Sequence, residues 1–284
     1  MRVELLYDIR ATLGEGPVWD ARAQTLYWID ILHKRVYANA DVLLELNETV
    51  GCLAPRKSGG IVFTKRFSFW TFETDSSQLT PLATLTREPA HNRFNDGKCD
   101  PRGRFLAGTM DMGETDPNGS LYSFDGKTIS KLLGNVTISN GMTWGPDYKT
   151  FYHIDTPTRT IRAFDYDLET GTITSPREAV SIPESFGWPD GMTSDLQGNL
   201  WVAMWGGAQI TKWNPDTGQL LERIPLPAKN VSSCVFGGTG GNDLFVTSAR
   251  VGLDEAALRE YPLTGAVFRI TTKTEGMPVF EFAG

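Results

Sequence analysis

Short runs of β-branched and aromatic residues recur along the chain, separated by clusters of turn-forming residues. They are Leu26-Tyr-Trp-Ile-Asp30, Gly60-Ile-Val-Phe63, Arg104-Phe-Leu-Ala-Gly-Thr109, Thr150-Phe-Tyr-His-Ile-Asp155, Leu200-Trp-Val-Ala-Met204 and Leu244-Phe-Val-Thr247. Runs this short, in residues that suit a pleated half-buried surface, predict strands. Successive runs begin roughly 35–50 residues apart, the period of one four-stranded propeller blade. Several are preceded by turn chemistry: Asp100-Pro-Arg-Gly103, Gly145-Pro-Asp147, Asp195-Leu-Gln-Gly198 and Gly241-Asn-Asp243. Glycine, proline, asparagine and aspartate supply the positive or preset φ that a tight hairpin needs. Further strands follow, closed by their own turns: Leu121-Tyr-Ser-Phe124, Thr160-Ile-Arg-Ala-Phe-Asp-Tyr166 and Ile210-Thr-Lys-Trp213.

Six units of ~45 residues account for about 270 residues, which nearly exhausts a chain of 284. A β-sandwich has no reason for a fixed period, so the pattern predicts an all-β fold, one six-bladed β-propeller spanning 1–284. Only Leu253–Tyr261 reads as a helix. Closure of the ring predicts that the first strand, near Val3–Tyr7, pairs with the last blade beside Val267–Ile270, removing an open edge.

Composition adds exclusions. Twenty-seven basic residues against 34 acidic ones leave a net charge of -7, which repels phosphate backbones and anionic lipid, so neither nucleic acid nor a membrane surface is an expected partner. The opening MRVELLYDIR interrupts its apolar residues with charge, unlike a signal-peptide core. No stretch approaches the ~20 apolar residues of a membrane helix. Three scattered cysteines, Cys52, Cys99 and Cys234, fit buried thiols in a reducing compartment. The expectation is a cytoplasmic protein, monomeric by default because a closed propeller needs no partner to complete its core.

Familiar catalytic signatures are missing: there is no GxSxG elbow, no Walker A loop and no HExxH, and His33, His91 and His153 stand apart. The informative residues are acids and amides placed before glycine. Leu13-Gly-Glu-Gly-Pro-Val-Trp19, Asn92-Arg-Phe-Asn-Asp-Gly-Lys98, Ile138-Ser-Asn-Gly-Met142 and Trp188-Pro-Asp-Gly-Met192 recur near the blade period or a multiple of it. Any single Asn-Gly or Asp-Gly is ordinary hairpin chemistry. Four in equivalent places, flanked by Trp19, Met142, Trp188 and Met192, converge instead on the central channel of a propeller. Glu15, Asn140 and Asp190 then offer oxygen ligands to one divalent cation, a set that suits Ca²⁺, Mg²⁺ or Mn²⁺ and is tolerated by Zn²⁺.

These segments carry a family resemblance. Gly14-Glu-Gly-Pro-Val-Trp19, Arg93-Phe-Asn-Asp-Gly-Lys98 with Asp100-Pro-Arg-Gly-Arg104, Gly108-Thr-Met110, Ile138-Ser-Asn-Gly-Met142, Ala163-Phe-Asp-Tyr-Asp167, Pro189-Asp-Gly-Met192 and Cys234-Val-Phe-Gly-Gly238 occur in order. Over about Leu13 to Gly265 the chain resembles the regucalcin/gluconolactonase (senescence marker protein) family of six-bladed propellers. The resemblance implies one divalent metal (Ca²⁺, Zn²⁺, Mg²⁺, Mn²⁺ or Fe²⁺) held by Glu15, Asn140 and Asp190. It also implies a small-molecule sugar lactone contacted by Arg93 and Asn95, and ring-opening hydrolysis to the aldonic acid. Asp96 shares their motif and ranks below them. The family often has an acid after Gly-Thr-Met that reaches sugar hydroxyls; here the run is Asp111-Met-Gly-Glu114, so either acid, or neither, fills that place, with Glu114 the candidate and the sugar preference open.

Lactone hydrolysis needs a polarised carbonyl, an activated water and a stabilised oxyanion, which a divalent cation and a carboxylate can supply. Asp190 is the expected general base; hydroxide on the metal, with Asp190 only a ligand, is the alternative. Trp188 and Trp205 are candidates for apolar walls or for core. Two further readings use the same architecture: a non-enzymatic calcium-binding regulatory propeller, and a hydrolase of organophosphates or hydrophobic lactones.

Overall fold

A computed structural model describes residues 1–284. Its strands form six four-stranded sheets in which every strand pairing is antiparallel; of three isolated single-residue bridges outside them, only Arg56–Phe282 is parallel. Blades 1 to 5 span residues 14–45, 50–84, 92–136, 139–181 and 188–225, and blade 6 spans 230–271 together with the first strand of the chain. That first strand, Arg2–Tyr7, lies on Val267–Thr271 with Val3 opposite Ile270 and Leu5 opposite Phe268. The ring therefore closes as the sequence predicts. The predicted helix is present but shorter, Glu255–Glu260, with Asp254 accepting from the Ala257 amide at 2.8 Å as its cap.

Apolar burial is distributed between blades. Trp201, Ile210, Val231, Val246 and Phe268 pack between blades 5 and 6. Phe69, Phe94, Phe105 and Phe124 pack between blades 2 and 3, where they also enclose Phe282 from the chain end. Such wedges fix each sheet against its neighbours by dispersion and water exclusion.

The first strand of each blade faces the channel: Gly14–Asp20, Val50–Pro55, Asn92–Cys99, Ser139–Trp144, Trp188–Ser194 and Asn230–Gly237. All six break register near their start, between Glu15 and Val18, Val50 and Leu53, Phe94 and Gly97, Ser139 and Met142, Pro189 and Met192, and Val231 and Ser233. A bulge releases a residue from the ladder and re-aims it. The acid–glycine and amide–glycine pairs are thus bulges in innermost strands, not the hairpin turns that their composition also allows. The glycines permit close approach: a Cβ on Gly141 would lie 2.6 Å from the Asp190 carbonyl oxygen, and one on Gly191 would collide with the Ser233 hydroxyl.

The far end of the channel is closed by the chain terminus. Met277 N donates to Ser194 O (2.9 Å), Gly276 N to Gly241 O (2.9 Å), Phe282 N to Pro55 O (2.8 Å) and Ala283 N to Gly103 O (2.9 Å). This strap ties four blades together at the end opposite Glu15 and Asp190. No helix is long and apolar enough to cross a membrane, and all three cysteines are free and buried.

Candidate active site

Glu15, Asn140 and Asp190 sit at the bulges of blades 1, 4 and 5, while Arg93, Asn95, Asp96 and Lys98 come from the innermost strand of blade 3. Glu15 and Asn95 are each 8% exposed, Asn140 and Asp190 each 5%. Inner strands of four blades therefore contribute buried or half-buried polar side chains to this end of the channel.

A chain of hydrogen bonds joins three blades. Arg93 donates from Nη1 to Asn95 Oδ1 (2.7 Å), and Asn95 donates from Nδ2 to Ser139 O (2.9 Å) and Asn140 Oδ1 (2.9 Å). Asn140 donates from Nδ2 to Thr156 Oγ1 (2.8 Å), whose hydroxyl donates to Pro189 O (2.8 Å), one residue before Asp190. Both amides are oriented unambiguously. A backbone carbonyl only accepts, so Thr156 must spend its proton on Pro189 and receive one from Asn140; Asn95 is fixed by Ser139 O in the same way. Asn140 Oδ1 keeps a free lone pair for a ligand.

The electrostatics are those of crowded buried acids. Burial and the Asp96 charge push Glu15 up to about 8 against the pull of the Gly16 amide and Arg93. Asp190 is raised well above the ordinary carboxylate range by burial and then by Glu15 and Asp96. Asp96 is raised by burial, which Lys98 opposes, and the Lys98 ammonium is itself lowered by burial while Asp96 supports it. Three carboxylates face two cations, Arg93 and Lys98, and an additional positive charge is what the cluster lacks.

The residues fit a divalent cation. Glu15, Asn140 and Asp190 are all oxygen donors, the set preferred by hard cations, and the upward displacement of both carboxylates, from burial first and neighbouring acids second, is what a bound positive charge offsets. No three His, Cys, Asp or Glu side chains group as a metal site by themselves; a set built on Glu15 and Asp190 takes its third oxygen from Asn140. The histidines stay apart: His33 pairs with Asp30, His91 with Asp111, and His153, pushed down to about 3 by burial, meets Ser139 at 2.9 Å.

The two candidates for the sugar-contacting acid separate. Asp111 is buried and consumed by its loop, receiving the Thr115 and Asp116 amides (each 3.4 Å) and His91 (3.2 Å). Glu114 is exposed, with left-handed φ of 60°, and its charge reaches Arg93 and Asp190. Of the aromatic candidates, Trp205 is half-buried against the core between blades 1 and 2, and Trp188 is 42% exposed; Met142 and Met192 belong to the core.

Two site residues lay beyond the sequence reading. Lys98 donates from Nζ to Met192 O (2.9 Å); it ends the Arg93–Lys98 motif in the sequence, but nothing local assigns it this partner. Thr156 carries no local signal at all. Farther along the channel, Asp96, Lys98, Thr143, Thr193, Ser233 and Cys234 help line a cavity of about 40 Å³ that the strap residues Met277 and Phe280 close. At ~10–15 Å³ each, about three waters fit.

Regucalcin of Bos taurus is 37% identical over 298 residues, covering 100% of this chain and 99% of its own. The structure of a calcium-binding protein, regucalcin, from Agrobacterium tumefaciens superposes with a TM-score of 0.92 at 27% identity, covering 98% of this chain and 96% of that one. A gluconolactonase from Xanthomonas campestris superposes with a TM-score of 0.75 at 25% identity, covering 95% and 89%. Residues 13–250 match the model of the SMP-30/Gluconolactonase/LRE-like region, and the chain belongs to that family.

Proposed function

We propose that this protein is a metal-dependent sugar lactonase that opens an aldonolactone to its acid. The observation that carries the reading is the hydrogen-bonded line Arg93–Asn95–Asn140 beside two buried, mutually repelling carboxylates. It sets a polar substrate clamp directly against an oxygen-ligand set.

Glu15, Asn140 and Asp190 would hold the cation, which when bound polarises the lactone carbonyl and offsets the developing oxyanion. Arg93 directs charge-assisted hydrogen bonds at lactone oxygens, with Asn95 holding its guanidinium in place. Glu114 accepts from sugar hydroxyls at the rim. Asp190 takes a proton from the attacking water as the water oxygen bonds to the carbonyl carbon. The ring C–O bond then breaks, and the same proton passes to the departing ring oxygen, leaving a hydroxyl and a carboxylic acid.

The name of the Agrobacterium relative, a calcium-binding protein, favours a second reading in which the same ligands bind Ca²⁺ without turnover. Lactone hydrolysis followed by pH-stat on metal-stripped protein separates the two. Glucono-, galactono-, xylono- and arabinolactone are tested with Ca²⁺, Mg²⁺, Mn²⁺, Fe²⁺ or Zn²⁺, subtracting spontaneous hydrolysis. Turnover restored by metal on at least one lactone is expected; folded, metal-binding protein without turnover on any pair overturns the enzymatic reading.

A further inference from the structure

Trp188 is the exposed aromatic that begins the strand bearing Asp190. Large apolar residues exposed singly are common on protein surfaces, but this one is held from several sides. One short turn of blade 4, Thr156–Thr158 with the residue after it, grips the chain on both sides of the tryptophan. Thr156 Oγ1 donates to Pro189 O, and Arg159 Nη1 donates to Gly187 O, each at 2.8 Å. The Arg159 guanidinium carbon lies 3.5 Å from the centroid of the indole, close enough for a cation–π contact. Arg159 is itself fixed by a left-handed backbone (φ 54°) and by Ile182 N donating to its carbonyl at 2.8 Å. Gly187, at φ 98°, leaves no room for a side chain, because a Cβ would lie 2.5 Å from Trp205 O.

An indole so anchored spends little entropy on contact, and 42% of the residue remains exposed. It sits two residues from Asp190, or about 6–7 Å along a strand, the breadth of one sugar ring. The cyclic form of a sugar carries a face of C–H bonds that packs on an aromatic face, while its hydroxyls point outward to polar partners. Arg93 and Glu114 supply those partners on the blade 3 side.

We propose that Trp188 is the platform for the C–H face of the substrate ring and that Arg159 is its positioning residue. This rests on the sugar-lactonase reading and specifies it: the site selects a cyclic polyol and orients it by stacking.

The test compares wild type with W188A, W188F and R159Q, in kinetics on the preferred aldonolactone and in binding of 1,5-anhydro-D-glucitol, a sugar ring without the lactone carbonyl. Binding is read by saturation-transfer NMR. W188A is expected to raise KM about five- to tenfold with a much smaller change in kcat, W188F to retain most of the affinity, and R159Q to raise KM about two- to threefold. Saturation transfer to ring protons should be strong in wild type and lost in W188A. Unchanged KM and unchanged transfer in W188A overturn the platform while leaving the lactonase reading intact. Trp188-dependent transfer in a wild-type protein that hydrolyses no lactone supports the platform and overturns that reading. Because Trp188 is exposed, its variants should match wild type in thermal unfolding.

Discussion

Asn95 and Asn140, 45 residues apart, meet through a 2.9 Å hydrogen bond that links blade 3 to blade 4 at the level of Glu15 and Asp190. It couples the proposed substrate clamp to the proposed cation ligands, because whatever holds one amide also orients the other. Thr156 is the far end of that coupling.

Thr156→Val should therefore weaken cation binding although Thr156 is not itself a ligand. Loss of an outer hydrogen-bond partner typically costs about 10–100-fold in metal affinity. Calorimetric titration with Ca²⁺ or Mn²⁺ checks this, and Thr156→Ser, which keeps the hydroxyl, should restore most of the affinity.

Asp190→Asn should abolish turnover, as both base and ligand charge are lost, without destabilising the fold. A buried carboxylate raised well above its ordinary range is a folding liability in the metal-free protein, and a neutral amide of the same shape relieves it. The melting temperature without metal should equal or exceed that of wild type. Retention of most of the rate would remove Asp190 from the mechanism.

Glu15 makes metal-free stability depend on pH. Its folded-state value is raised to about 8 from 4.5, so between those values the native state binds more protons than the unfolded chain. Stability must then fall as pH rises from about 4.5 to 8. Cation loading releases the proton and should flatten the curve, with affinity increasing toward pH 8. Thermal melts from pH 5 to 9, with and without metal, read this directly; Glu15→Gln should reduce the slope.

Lys98→Met removes the ammonium that opposes the burial penalty on Asp96. Asp96 and Lys98 are coupled by charge rather than by a direct ion pair, and Lys98 also donates to Met192 O, so the variant leaves an uncompensated charge and an unpaired carbonyl, typically about 1–3 kcal/mol. Denaturant unfolding should show a loss of that order, and adding Asp96→Asn should recover part of it, since the stranded charge is then gone.

The acids of the rim loop should separate in assay. Glu114→Gln should raise KM for the sugar lactone with little change in stability, because Glu114 is exposed. Asp111→Asn should lower stability, since Asp111 receives two backbone amides and pairs with His91. Parallel kinetics and melts on the two variants check the assignment.

Repetition and local structure are written in the chain alone. Strand runs at the blade period, turns such as Asp100-Pro-Arg-Gly103 and the closing strand near Val3–Tyr7 were legible because they obey short-range rules of alternation, preset φ and edge protection. The recurrence of acids and amides before glycine singled out Glu15, Asn140 and Asp190, whose placement at equivalent bulges follows from the same periodicity. Tertiary structure decided what depends on blades meeting. Lys98 reaches Met192 across 94 positions and Thr156 reaches Pro189 across 33, contacts that no local pattern encodes. It likewise decided that Asp111 is spent on its own loop while Glu114 stays free, and that the terminus seals one end of the channel. The physical reason is that hydrophobic periodicity is written residue by residue, whereas hydrogen bonds and charge coupling around the axis arise only when six separate strands are brought within a few ångströms.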